Sequence, residues 1–434
     1  MSSRWVEQLR NIGLTDTGAR DAAPHFSRCA LGLGAEPGSS LPAWWVPGRI
    51  EVLGKHTDYG GGRSLVCTVE RGFHIMARPR TDGVVQLLDA ASRRPASVPV
   101  TADAPALPGQ WINYPISVVR RLVRDAGITR GADIAFSSSL PRASGLSSSS
   151  AFVIGCYLAL ANANELDSNA AWQAALPTRL DIAGYLGAVE NGKAFGAFPA
   201  DRGVGTHGGS QDHTAILCCE AGMLSQFRFL PVEHERTVEL PDEWTFAVAM
   251  SGVRASKSAG AKDRYNALAT ETAALADELE DVGDADGRSL LRRIEAGAIL
   301  PASANAALHR RLDQFRAESL EIIPQVTDHV AAGHIQAIGP LVARSQQLAD
   351  TVLGNQVPET RALVESATRL GAAAASAFGA GFGGSVWALV PVVRAEKFLV
   401  AWQSAHDLLH PSTRRASAFF ITRPGPPARQ LRPA

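Results

Sequence analysis

The 434-residue sequence predicts an α+β fold in two domains. Three observations carry this reading. The length exceeds what one hydrophobic core usually serves. Strand-period and helix-period segments are mixed, without the strict alternation of a doubly wound sheet. After about residue 225 helical periodicity dominates, which divides the chain into domains 1–225 and 226–434. Hydrophobic residues are 46% of the chain and charged residues 19%, so there is enough apolar surface to bury.

In chain order, Ser3–Leu33 carries apolar residues at helical spacing, with Gly32 and Gly34 as stops. A Gly/Ser/Pro stretch, Glu36–Pro42, leads to Trp44-Trp45-Val46. Arg71–Arg80 and Gly83–Leu88 are expected strands around a turn at Asp82-Gly83. Asn113–Gly127 is an amphipathic helix and Asp133–Phe136 a short strand. Ser148–Ala163 is an apolar, buried helix, Ala170–Val189 a second helix, and Gly192–Gly209 a long loop. Ala215–Cys219 and Met223–Phe229 suggest strands. Helical periodicity follows in Ala261–Val282, Ser303–Ser319, Ile335–Leu348 and Glu359–Leu370. Strands near Val386–Val392 and Ala418–Thr422 close the fold before a Pro-rich tail. No internal repeat is present.

Bulk chemistry excludes several classes. Formal net charge is +0 and the pI is about 7.2, which argues against nucleic-acid binding. No basic run marks an anionic membrane. The longest apolar run, near Ala151–Ala163, falls short of the roughly 20 residues a bilayer needs. The five cysteines show no CxxC spacing, so neither a disulfide framework nor a zinc site is expected. The start, Met-Ser-Ser-Arg-Trp-Val-Glu-Gln, lacks a signal-peptide apolar region, and a cytoplasmic protein is expected.

The most informative segment is Pro47–Gly62. It sets Arg49, Lys55, His56, Asp58 and Tyr59 within eleven residues, bounded by glycines. That mix suits a site gripping a polyhydroxyl ligand and a developing charge. The segment resembles the sugar-binding signature of galactokinases, roughly Gly-Arg-Val-Asn-Leu-Ile-Gly-Glu-His-Thr-Asp-Tyr-Asn-Gly-Gly. Glu51 and Lys55 depart from it.

A second segment, Pro141–Ala151, precedes the apolar helix. A helix N-terminus offers unpaired N–H groups and a partial positive charge, where an anion such as triphosphate can sit. The residues alone equally permit a flexible Ser-rich linker capping a core helix. The segment is similar to the second motif of the GHMP kinases, Pro-x-Gly-x-Gly-Leu-Ser-Ser-Ser. That resemblance implies ATP binding at Ser144, Gly145, Leu146, Ser147, Ser148 and Ser149, with Ser149 on Mg²⁺. Ala143 and Ser144 stand where the family has glycines, and a Cβ there could crowd the phosphates.

Gly379–Gly384 matches GxGxxG, but a strand follows where a dinucleotide fingerprint needs a helix. It resembles the third GHMP motif, a tight glycine turn; a plain hairpin turn is the other reading. In Gly208–His213, Asp212 alone reads as a turn or N-cap residue. The resemblance to the galactokinase segment Cys-Gly-Ile-Met-Asp-Gln makes it the carboxylate that acts on the attacking hydroxyl. Arg49 is then its charge partner, with a structural salt bridge as the alternative. Glu190 matches the family's Mg²⁺-associated Glu. His56, Asp58, Gly209 and Tyr265 match positions that hold the sugar. Trp111-x-Asn113-Tyr114, Leu341–Ala367 and Thr422–Arg429 extend the resemblance over nearly the whole chain.

Together these imply a two-domain GHMP kinase fold with the site in the interdomain cleft, producing a sugar 1-phosphate and ADP from a galactose-like hexose and ATP. Lys55 stands where galactokinases carry a Glu that accepts from the sugar 6-hydroxyl. Lys has only donors. A C6 carboxylate, as in galacturonate, would suit it, unless Glu51 pairs with Lys55 and cancels its charge. Two other classes remain as alternatives: a catalytically idle sugar sensor on the same fold, and a dinucleotide-dependent enzyme resting on the glycine turn alone.

Overall fold

A computed structural model describes residues 3–107, 109–141, 145–253, 261–280 and 289–431. The expected phosphate residue Ser144, and Ala143 beside it, lie outside the described residues. The strands are β1 (Ala43–Leu53), β2 (Arg63–Pro79), β3 (Val84–Asp89), β4 (Arg94–Pro99), β5 (Ala132–Ser138), β6 (Met223–Arg228), β7 (Glu233–Glu239), β8 (Trp244–Met250), β9 (Ala374–Phe378), β10 (Ser385–Pro391), β11 (Ala418–Thr422) and β12 (Arg429–Leu431). The helices are α1 (Ser3–Asn11), α2 (Asp16–Gly32), α3 (Asn113–Ala126), α4 (Ser148–Ala163), α5 (Ala170–Ala175), α6 (Arg179–Asn191), α7 (Gln211–Cys218), α8 (Ala261–Glu278), α9 (Leu290–Glu295), α10 (Ala306–Arg316), α11 (Ile323–Ala331), α12 (Ile338–Thr351), α13 (Pro358–Arg369) and α14 (Ala395–Leu409).

Two sheets organise them. The first runs β12-β1-β2-β5-β3-β4, and β6 pairs with the far end of the long β2 and carries β7. The second is antiparallel, in the order β11-β8-β10-β9. Residue 225, the expected domain boundary, falls inside β6, and the first sheet continues to Glu239.

Every residue of β1 is buried, because both faces of the first sheet are covered. Its side chains alternate between those faces. Trp45 packs with Trp5 and Phe26 of α1 and α2. Trp44 and Val46 join the larger core that holds Phe152 and Ile154 of α4. Helix α4 is apolar around nearly its whole circumference, as a helix enclosed on all sides must be. Helix α3 stops at Gly127, whose φ of 65° is the left-handed C-terminal cap.

Several expectations are corrected. The single helix over Ser3–Leu33 is two, α1 and α2, broken around Gly13 (φ 107°) and restarted by the Thr15 hydroxyl accepting from Gly18 N. The helix over Ala170–Val189 is also two. The break at Leu176-Pro177-Thr178 ends in a capping box, with Thr178 and Asp181 bonding reciprocally. The expected strand Ala215–Cys219 is the second half of α7, packed on α4 and α6. A five-residue apolar run has no period that separates strand from helix. Strands β2 and β3 do not form a hairpin: β3 pairs antiparallel with β4 and parallel with β5.

Candidate active site

Strand alternation puts Arg49 and Glu51 on one face of β1. Arg49 is 3% exposed. Its Nε and Nη2 each donate to Asp212 Oδ1 at 2.8 Å, and its Nη1 donates to the Gly145 carbonyl. Asp212 sits in the first turn of α7, its side chain still 32% exposed to the cleft. Burial pushes its carboxyl up, but the Arg49 guanidinium, the Ser147 hydroxyl and His213 together outweigh that and hold it below the usual carboxylate range. Asp212 is therefore ionised at neutral pH, with Oδ2 turned toward Ser150 Oγ, 3.5 Å away.

The N-terminus of α4 begins beside this pair. Ser147 precedes the helix with φ 59° and forms no side-chain cap, so the first-turn N–H groups lack a capping hydroxyl. Its own hydroxyl is buried and supports the ionised Asp212 carboxyl. An uncapped helix end fits an anionic oxygen. Ser148 and Ser149 line a cavity of ≈ 330 Å³ walled by Phe73, Trp111, Tyr114, Phe136 and Phe152. Ser150 lines a second, polar cavity of ≈ 80 Å³, with Arg49, Asp58, Glu190 and Asp212. The helix N-terminus thus divides an aromatic cavity from a polar one.

The expected metal ligand Ser149 and its neighbour Ser150 face different cavities. Successive helical side chains diverge by about 100°, so Ser149 faces the aromatic cavity while Ser150 Oγ donates to Glu190 Oε2 at 2.8 Å. His213 Nε2 lies 3.0 Å from the same Glu190 oxygen. Ser150, Glu190 and Asp212 offer the hard oxygens that suit Mg²⁺, which takes one or two carboxylates beside substrate phosphates. Among the described residues no group of three or more His, Cys, Asp or Glu is placed to hold a metal by itself.

The polar cavity is closed by the loop after β1 and by α8. His56 takes a left-handed backbone, φ 57°. Its Nε2 donates to the Ala380 carbonyl at 3.1 Å, which leaves Nδ1 to accept from the Tyr59 hydroxyl at 2.9 Å. Burial and the Arg311 charge lower its pKa to about 3, so the ring is neutral. Asp58 Oδ2 accepts from Gln211 N at 3.1 Å. Burial raises the Asp58 carboxyl above its ordinary value despite that bond. A Cβ at Gly209 would overlap the Asp58 carboxylate, so only glycine fits. Tyr265, from α8, lines the cavity with its ring centroid 5.5 Å from that of His56. Gly379 and Ala380, in the turn between β9 and β10, complete the wall.

Lys55 is not there. Gly54, at φ 110°, turns the chain, and the Lys55 ammonium donates to Ser345 at 3.2 Å and Ser376 at 2.8 Å under α12 and β9. The expectation that Lys55 meets the sugar is corrected: its side chain is 1% exposed and lines no part of the polar cavity. Glu51 does line it, 4% exposed, with Oε1 lacking any hydrogen-bond partner. Burial lifts its carboxyl to about 7, against the pull of Arg49 and Lys55. Sequence reasoning gave no role to Gln211 and Asn191. Gln211 Nε2 donates to Gly54 O and Ser64 Oγ, and Asn191 Nδ2 to Gly209 O, so both brace the cavity wall. A count of strand period from Arg49 is the signal that would have placed Glu51 inside.

Comparison with known proteins agrees with this geometry. Residues 36–79 match the galactokinase galactose-binding signature, 113–194 the GHMP kinases N terminal domain and 327–407 the GHMP kinases C terminal domain. The chain is similar to galactokinase of Streptomyces coelicolor, 28% identical over 407 residues, covering 92% of this chain and 95% of that protein. It is similar to galactokinase of Exiguobacterium sibiricum at 26% over 394 residues, covering 85% and 89%. The fold matches a crystal structure of Lactococcus lactis galactokinase complexed with galactose, with TM-score 0.75, 21% identity and coverage of 93% and 97%. It also matches Methanococcus jannaschii mevalonate kinase at TM-score 0.58, 15% identity, covering 89% and 98%. Two sheets meeting around a buried helix with an uncapped, serine-rich start, with both GHMP domains present, make this chain a GHMP kinase. Within that superfamily it belongs with the galactokinase-like sugar kinases. Among the described residues no helix is long and apolar enough to cross a membrane.

Proposed function

We propose that this enzyme transfers the γ-phosphoryl group of ATP to the anomeric hydroxyl of a galactose-like hexose, yielding sugar 1-phosphate and ADP. The observation that carries the reading is the position of α4. Its N-terminus separates an aromatic cavity from a polar one, and the Asp212–Arg49 pair stands on the polar side. An adenine ring suits the walls formed by Phe73, Trp111 and Phe152, and the uncapped N–H groups suit the phosphates between. The polar cavity has the scale of a monosaccharide, since each water needs about 10–15 Å³ and ≈ 80 Å³ therefore holds several hydroxyl-sized groups.

Phosphoryl transfer passes through a loose transition state, so positioning and charge stabilisation do most of the work. Asp212, ionised, accepts the hydrogen bond of the attacking hydroxyl and fixes its direction. Arg49 holds that carboxylate and faces the charge that develops on the phosphoryl oxygens. Ser150 and Glu190 would hold Mg²⁺, which neutralises charge on the phosphates when bound. Asp58 and His56 receive the ring hydroxyls, and Gly209 lets the backbone come close.

An idle sensor would have no need of an ionised Asp212 locked on a buried Arg49. A cytoplasmic setting accords with the five unpaired cysteines. The test is ATP turnover across neutral hexoses, pentoses and uronates, with Asp212→Asn alongside. Turnover on a galactose-configured hexose is expected, and Asp212→Asn should lower kcat by roughly 10²–10⁴-fold while sugar binding persists. Turnover of no sugar, or an Asp212→Asn enzyme of ordinary kcat, would overturn the proposal.

A further inference from the structure

We infer that Glu51 is the residue that selects a neutral sugar, by accepting a hydrogen bond from one of its hydroxyls. This rests on the kinase reading and adds the substrate class to it. Glu51 projects from β1 on the same face as Arg49 and lines the polar cavity. It is 4% exposed, and Oε1 has no hydrogen-bond partner in the protein. A buried acceptor without a donor costs free energy unless a ligand supplies one. In a cavity bounded also by His56, Asp58 and Tyr265, the donor that fits is a sugar hydroxyl.

The remaining charges point the same way. Glu51, Asp58, Glu190 and Asp212 all line this cavity, and the single guanidinium among them, Arg49, is already bound to Asp212. The ammonium groups nearby are committed to the protein, Lys55 to Ser345 and Ser376 and Lys193 to the Gly208 carbonyl. Among the described residues, an added carboxylate would meet the ionised Asp212 and no free donor of full charge. The galacturonate-type substrate that Lys55 suggested is therefore disfavoured, and the acidic position that reads the sugar is 51 rather than 55.

The test is a matrix of kcat/KM values. Wild type, Glu51→Gln and Glu51→Leu are each assayed with galactose, its monodeoxy analogues and galacturonate. Glu51→Leu should lower kcat/KM for galactose about 10- to 100-fold, the range of a charge-assisted hydrogen bond. One deoxy analogue, lacking the hydroxyl that Glu51 contacts, should fall by less than about threefold, because the contact is already gone. Wild type should favour galactose over galacturonate by at least about 100-fold, and Glu51→Gln, which keeps the shape and drops the charge, should narrow that ratio. Thermal unfolding of each variant separates loss of fold from loss of recognition. Equal losses for galactose and every deoxy analogue in a folded Glu51→Leu enzyme would overturn the inference while leaving the kinase intact. So would an unchanged galacturonate ratio in Glu51→Gln. A wild type that phosphorylates none of these sugars would overturn the kinase reading and this inference with it.

Discussion

At the scale of single residues, direction decides more than identity. Lys55 and Glu51 differ from the galactokinase signature by two charges and one, and the backbone sends them to opposite places. Lys55 enters a buried polar knot, where Ser345 also donates to Glu318 Oε1 at 3.0 Å and Glu318 in turn accepts from Gly54 N at 2.8 Å. Burial lowers its pKa, with Glu318 opposing that shift. Lys55→Met should therefore cost about 1–3 kcal/mol of stability by stranding those partners, measured by urea unfolding. It should leave the galactose-to-galacturonate ratio of kcat/KM within about threefold of wild type, since the ammonium touches no sugar; a tenfold change would refute its structural role. Arg49, Asp58 and Asp212 were legible in the sequence because each lies in an ordered motif whose spacing the fold keeps. Lys55 was not, because the turn at Gly54 that redirects it is a backbone property that no residue type announces.

Elements bounded by strong local signals were legible nearly to the residue. Ser148–Ala163 and Ala418–Thr422 coincide with α4 and β11, the first set by its serine start and unbroken apolar run, the second by its β-branched and aromatic residues. Elements defined by tertiary packing were not: α7 was read as a strand, and β7, β8, β9 and α14 went unread until the sheets placed them. Helix α2 shows how packing acts on chemistry. It stacks His25 on His74 of β2, ring centroids 4.4 Å apart, under Phe26 and Trp45. His74 Nδ1 donates to the Ser137 carbonyl at 3.0 Å, while Nε2 is buried without a partner. Burial, with the facing His25 and Arg28, drives the His74 pKa well below 6.5. The unfolded chain thus binds a proton below pH 6.5 that the folded one refuses, and stability falls as pH falls. Asn in place of His74 can keep a donor near Ser137 without titrating. Between pH 6 and 5 the stability of wild type relative to His74→Asn should decline by about 1.4 kcal/mol per pH unit. Other titrating groups, Glu51 and Glu70 among them, cancel in that difference. Parallel pH dependence of the two proteins in urea unfolding would show that His74 does not titrate with folding.

For the whole molecule, the polar cavity is a joint between the two halves of the chain. Arg49, Glu51, Asp58 and Asp212 come from the first half; Tyr265 and Ala380 come from the second. Arg311 of α10 ties the halves at this point. Fully buried, it donates from Nη2 to the His56 carbonyl at 2.6 Å and to Thr272 Oγ1 at 3.0 Å, fixing the left-handed residue proposed to meet the sugar. A lysine there is a single ammonium and cannot hold that planar fork. The sugar should then bind the native state alone and stabilise it by RT ln(1 + [L]/Kd), about 2.7 kcal/mol at a hundredfold excess over Kd. Wild type should show a Tm that climbs with the logarithm of galactose concentration. Arg311→Lys should lower the ligand-free Tm and also shift that climb to higher galactose, since a loosened His56 raises Kd. Were Arg311 only a brace for α10, the ligand-free Tm would drop while the galactose concentration that begins to stabilise the protein stayed where it was. That separation makes the tie between fold and sugar site measurable without any assay of turnover.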